Sequence, residues 1–167
     1  CSIDITYIRM QHGHMYLTAI IDWSSRMVVG WNLSDPLDTA CVIQTVQDAV
    51  KAHGCPAILN SDQGCQFTSS EYKALLKQLY IAQSMDGKSR WADNIMIERW
   101  FRSLKTEEIY LNEYASPKAL RQAVHAYVQQ YNTVRPHQAL ENRTPERVYE
   151  SWLAAPSAGL DSLEQAG

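Results

Sequence analysis

The sequence predicts an α/β fold, a mixed five-stranded sheet in which an antiparallel meander is extended by parallel strands, with helices on both faces. Three observations predict it. The chain opens with three β-prone runs joined by short polar connections, the apolar period then lengthens to that of a helix, and short apolar runs return twice between helical stripes.

In the first run, Ser2 to Met10, alternation places Ile3, Ile5 and Tyr7 on one face and Asp4, Thr6 and Ile8 on the other. Gln11-His12-Gly13-His14 makes a turn in which Gly13 can take positive φ. Met15 to Ile21 and Met27 to Leu33 follow as two further strands, and connections this short force neighbours to be antiparallel. Val42, Ile43, Val46, Ala49 and Val50 then recur at helical spacing, with Gly54 and Pro56 as the stop. Ala57 to Ser61 is a short buried strand ended by Asp62-Gln63-Gly64. Thr68-x-x-Glu71 is a capping-box pattern opening a second helix with the stripe Tyr72, Leu75, Leu76 and Leu79. Ile81 to Met85 supplies a fifth strand. A third helix carries Ile97, Trp100, Phe101 and Leu104, and a fourth starts at Ser116-Pro117 and runs through Leu120, Val124, Tyr127 and Tyr131.

A chain of 167 residues with 46% hydrophobic composition suits one domain, expected over residues 1–150. Residues 151–167 are too poor in apolar side chains to order themselves and are expected to form a disordered tail. Cys1 opens the chain within an apolar stretch and without methionine, as in a piece cut from something longer. The four cysteines form no CxxC pair and the five histidines none of the structural zinc spacings, so reduced thiols in a cytoplasmic protein are expected. No apolar run approaches the roughly 20 residues of a membrane span. The net charge of −3 means that any grip on nucleic acid must come from local basic patches, bound cations or other domains.

Three carboxylates stand out by position. Asp4 interrupts an apolar strand expected to be central, Asp62 follows the carboxyl end of another, and Glu98 lies beside the packing stripe of the third helix. Oxygen ligands from separate elements suit magnesium or manganese, and two such ions can hold the attacking and leaving oxygens of a phosphoryl displacement. Each acid also has a plain reading: a strand Asp is often a cap or an ion-pair partner, and Glu98 can pair with Arg102 four residues on. The spacing of the triple weighs against treating them separately, since 35 residues, 63 to 97, separate Asp62 from Glu98.

With that spacing the sequence resembles the DDE integrase core of bacterial insertion-sequence transposases encoded by two overlapping reading frames, and more distantly the retroviral integrases. The matching stretches are Asp4-Ile5-Thr6-Tyr7-Ile8, Ser61 through Thr68, Met85-Asp86-Gly87-Lys88, Asp93-Asn94 through Glu98, Leu104-Lys105-Thr106-Glu107, Tyr131-Asn132 and Arg135-Pro136-His137. The resemblance implies a ribonuclease H-like fold in which Asp4, Asp62 and Glu98 bind two divalent metals, Mg2+ or Mn2+. It also implies cleavage at transposon ends followed by direct attack of the freed 3′ hydroxyl on target DNA, within a homo-oligomeric complex.

Lys105 lies seven residues after Glu98 and is rotated from it by only about 20° on a helix, so Glu98, Arg102 and Lys105 share a face on which the two cations can meet DNA phosphates. Lys88 and Arg90, in the loop before that helix, are expected near the same DNA strand. Arg135 either contacts DNA or satisfies helix-end carbonyls. His12 and His14 are expected as exposed turn residues, and Trp23, Trp31 and Trp100 as core. The sequence departs from the family pattern at Cys1, where tryptophan is usual three residues before the first aspartate, and it contains no helix-turn-helix segment. A nuclease of the same fold, or a truncated remnant that binds transposase protomers, are the competing readings.

Overall fold

The computed structural model describes residues 1–85 and 94–155. Strands β1 (Ser2–Arg9), β2 (His14–Ile21) and β3 (Val28–Ser34) form the expected meander. Helix α1 (Thr39–His53) leads to β4 (Ile58–Ser61), the short helix α2 (Cys65–Thr68), α3 (Ser70–Gln78) and β5 (Ala82–Met85). Helices α4 (Ile95–Glu107), α5 (Pro117–Thr133) and α6 (Pro145–Ala154) complete the described chain.

The sheet order is β3-β2-β1-β4-β5, with β1–β2 and β2–β3 antiparallel and β1–β4 and β4–β5 parallel. The strand bearing Asp4 is therefore central, as expected. Its junction with the parallel half is narrow. The β1–β2 ladder runs from Ser2↔Ile21 to Arg9↔His14, whereas β1 and β4 share the single register pair Ser2↔Asn60.

Both faces of the sheet are buried, and alternation along β1 sorts its side chains between two cores. Ile3 joins Val42, Val46, Leu59, Phe67, Tyr72 and Leu76 beneath α1 and α3. Ile8 joins Leu17, Ile97, Trp100, Leu104, Leu120 and Val124 beneath α4 and α5. Asp4 has the parity of Ile8, so its carboxylate belongs to the α4 face. Burial on two faces also explains why β2, with Leu17 to Ile21 all buried, reads as a continuous apolar run.

Local signals set most boundaries. Gly13 has φ 81° in the first hairpin and Gly54, with φ 83°, ends α1. Ser116 caps α5 by accepting from the Ala119 amide, with Pro117 at the first helical position. The second helix departs from expectation by one residue. The Thr68 hydroxyl donates to the Gly64 and Cys65 carbonyls and so closes α2, which leaves Ser69 to cap α3 by accepting from Tyr72 N–H at 3.2 Å.

Helix α6 was not expected. Thr144-Pro145 repeats the Ser116-Pro117 start signal, and Val148 is buried while Tyr149 reaches the His53 carbonyl of α1 at 3.3 Å. The helix continues to Ala154, so the division expected at residue 150 falls inside it. All four cysteines are free. Of the tryptophans expected in the core, Trp100 is 2% exposed, whereas Trp23 and Trp31 are only half-buried.

Candidate active site

The register pair Ser2↔Asn60 sets the geometry of the site. Two residues further along each strand lie Asp4 and Asp62, so the two carboxylates stand on neighbouring parallel chains, Asp62 just beyond the end of β4. The Asn60 amide donates to the Asn94 side-chain carbonyl at 3.4 Å, which ties β4 to the residue before α4. One turn into α4 comes Glu98, on the exposed flank of the buried stripe Ile97, Trp100, Phe101 and Leu104.

Two of the three carboxylates, Asp4 and Asp62, are held by backbone amides. Asp4 Oδ1 accepts from Ile5 N–H at 2.7 Å, and Asp62 Oδ1 from Gly64 N–H at 2.8 Å. Gly64 is dictated by proximity: a Cβ at this position would stand 2.9 Å from Asp62 Oδ1. The sequence Asp62-Gln63-Gly64 thus reads as a carboxylate with its own amide clamp.

Two recesses meet at Asp4. One, of about 340 Å³, is lined by Asp4, Glu98, Arg102, Lys105, Thr106 and Tyr110, and the other, of about 250 Å³, by Asp4, Tyr7, Tyr16, Asp62, Gly64 and Gln66. Asp4 is common to both. A set of three carboxylates fits a hard divalent cation in its donor chemistry. Among the described residues, however, no three His, Cys, Asp or Glu side chains stand close enough to enclose one ion.

Lys105 lies with Glu98 in the first recess, as its spacing requires, and burial pulls its ammonium below the usual lysine range. Arg102 lines the same recess and makes no ion pair with Glu98, which leaves the helical-pair reading of Glu98 without support. Lys88 and Arg90 lie outside the described residues.

Arg135 has a partner within the protein that the sequence did not indicate. Its guanidinium spans the Glu107 carboxylate, Nη1 to Oε1 at 3.1 Å and Nη2 to Oε2, and lies 5.6 Å from the centre of the Tyr127 ring. Tyr127 Oη donates to the same carboxylate at 2.9 Å. The Arg135 guanidinium therefore joins α4 to α5, and the pairing drives the Glu107 carboxyl below its usual range. The motif residue Asn132 is also structural: its amide donates to the Val28 carbonyl at 2.9 Å and accepts from the Val28 amide at 3.0 Å.

Sequence reasoning missed Tyr7 and Tyr16, which line the recess at Asp62. It set Tyr7 on one face with Ile3 and Ile5, and Tyr7 is 49% exposed and stacks on His14 with centroids 4.9 Å apart. His14 is thereby a partner in an aromatic cluster rather than a bare turn residue.

Two models described as integrase core domain match residues 1–90 and 80–145. This chain belongs to the integrase core family. The core is 34% identical over 154 residues to the InsF transposase of insertion sequence IS3A from Escherichia coli K12, and 36% identical over 149 residues to the transposase of IS904 from Lactococcus lactis. The first alignment covers 90% of the chain and 54% of the relative, the second 86% and 58%, so the chain spans little more than half the length of these relatives. Among solved structures, the magnesium complex of the HTLV-2 integrase catalytic core superposes with a TM-score of 0.73 at 19% identity, covering 89% of this chain and 93% of that one. The catalytic core of BIV integrase gives 0.73 at 17%, covering 91% and 93%. The integrase core therefore has the ribonuclease H-like fold that the resemblance implied.

Proposed function

We propose that this integrase core is the catalytic part of a DNA transposase that cuts phosphodiesters and transfers strands with the help of divalent metal. The observation supporting this reading is that Asp4 lines one recess together with Glu98 and the adjoining one together with Asp62. Asp4, between the two recesses, and its flanking partners would hold two Mg2+ or Mn2+ ions. Bound there, such ions would supply Lewis acidity to the phosphodiester.

The chain's own residues divide the remaining work. Gly64 N–H keeps the Asp62 carboxylate in one orientation. Arg102 and Lys105 present positive charge to phosphates next to the reacting one, and Lys88 and Arg90 are assigned to the same strand. The DNA substrates are transposon ends and target DNA, the active state is a homo-oligomer, and the compartment is the cytoplasm. No helix of the described residues is long and apolar enough to cross a membrane. The catalytic unit runs to the end of α6.

The test is Asp62→Asn. It removes one anionic ligand and relieves repulsion between carboxylates, so the fold should persist with an unchanged or slightly higher Tm. Manganese binding, cleavage and joining of a pre-cleaved end should all be lost. Retained activity with magnesium would refute the assignment, and cleavage without joining in the wild type would redirect it to a nuclease.

A further inference from the structure

On the other flank of α4 lies a second cleft, of about 440 Å³, lined by Arg26, Arg99, Trp100, Tyr131, Arg135 and His137 and by no acidic side chain. Three guanidinium groups line this recess in a chain of net charge −3, and since Arg135 is already paired with Glu107, Arg26 and Arg99 supply its uncompensated positive charge. They arrive from three elements: the turn between β2 and β3, helix α4, and the segment after α5. With about 100° between successive residues, Arg99 and Ser103 stand roughly 100° and 140° around α4 from Glu98. The helix therefore separates this cleft from the carboxylates.

Arg26 occupies the left-handed region with φ 61°, which glycine or asparagine adopts with less strain. The turn holds it there. Its amide donates to the Asp22 carbonyl at 2.8 Å, the Asp22 amide donates to the Met27 carbonyl at 2.8 Å, and the Asp22 carboxylate accepts from the Ser25 amide and hydroxyl. Strain kept beneath a cationic side chain points to a use for that side chain.

Among the described residues neither Arg26 nor Arg99 has an ion-pair partner. Two ring nitrogens of cleft residues, Trp100 Nε1 and His137 Nε2, are buried without a hydrogen-bond partner, and Trp100 is only 2% exposed. An indole N–H and a guanidinium can only donate, so a ligand suited to this cleft is an acceptor with negative charge. Cations spread over three elements around an open cleft suit a polymeric anion better than a single small one.

We propose that this cleft is a second phosphodiester site, holding a segment of DNA backbone distinct from the one at Asp4, Asp62 and Glu98. It rests on the reading of the protein as a DNA strand transferase.

The experiment is a salt titration of binding to a labelled mixed-sequence DNA duplex, comparing wild type with the double variant of Arg26→Asn and Arg99→Gln. Asparagine suits the left-handed position and glutamine keeps the exposed helical stem, so the fold should hold. The log–log salt slope should become shallower by about 1.8 in the double variant, two contacts at roughly 0.9 each. Should the double variant melt early, Arg99→Gln alone must lower the slope by about 0.9. An unaltered slope alongside intact wild-type strand transfer overturns the cleft proposal and leaves the transferase reading standing. A shallower slope in a wild type background that performs no transfer does the reverse. In a parallel arm with inorganic phosphate, millimolar protection of the cleft without any change in DNA slope marks a free-anion site and overturns the proposal.

Discussion

At the scale of single residues, Gly64 and Lys105 carry the sharpest consequences. Gly64 was legible only as a turn breaker, because nothing in the sequence reports that its missing Cβ makes room for Asp62 Oδ1, 2.9 Å from where that carbon would stand. Gly64→Ala should leave the Tm within a few degrees, since φ at this position is −58° and suits any residue. It should weaken manganese binding about 10- to 100-fold, the range for loss of a group that orients a ligand. Calorimetric titration checks this, and wild-type affinity in the variant would remove the clamp from the argument. Lys105 was fully legible, because seven-residue spacing on a helix is insensitive to tertiary detail. Its ammonium is held below the ordinary lysine pKa by burial, so the charged form destabilises the fold at every pH below the folded value, and the cost disappears above the unfolded one. Lys105→Ala should therefore melt at the same temperature as wild type or slightly higher at pH 7, while the DNA salt slope flattens by about one contact. A clear drop in Tm with an unchanged slope would make Lys105 a packing residue only.

At the scale of elements, the sequence showed the strands and long helices clearly, since their periods and caps are local. It did not show how motif residues near the end of α5 are used. Arg135 and Glu107 are 28 positions apart, and only the packing of α5 on α4 reveals that they form one bidentate pair with Tyr127 against it. Helix α6 was missed because its apolar face is short, Pro145 and Val148 being its buried residues, although its Thr-Pro start could have found it. The α4–α5 tether makes a pH prediction. The Glu107 pKa lies below its unfolded value of 4.5, so the pair's contribution is fully present above that value and is lost as pH falls through the lower folded one. Side-chain exposures of 41% for Glu107 and 34% for Arg135 limit the contribution, after solvent screening, to about 0.5–1 kcal/mol. Glu107→Gln should lower the Tm by about 1–4 °C at pH 7 and by less near pH 3. Thermal melts at the two pH values decide it, and an equal loss at both would mean that the ion pair is not the cause.

For the molecule as a whole, the sheet joins two halves of unlike reach along the chain. The meander closes through neighbours, whereas β4 meets β1 by spanning the length from Ser2 to Asn60, with Asn60 N–H bonded to the Cys1 carbonyl at 2.9 Å. Local hairpins close early in folding and distant parallel pairings close late. The candidate carboxylates straddle the late junction, so a bound cation would act as a clasp on the last step of assembly and give no help to the first. Ligand that binds only the closed state suppresses just those openings that destroy its site. Manganese should accordingly slow hydrogen exchange at Leu59 and Asn60 in proportion to its saturation, and leave the amides around Gly13 in the first hairpin exchanging at their former rate. Uniform slowing across the chain would mean that the two halves open together, and no slowing at β4 would mean that the ion sits elsewhere. If the clasp holds, divalent metal sets how long this chain stays competent once folded, a lifetime measured by the unfolding rate and independent of any DNA it meets.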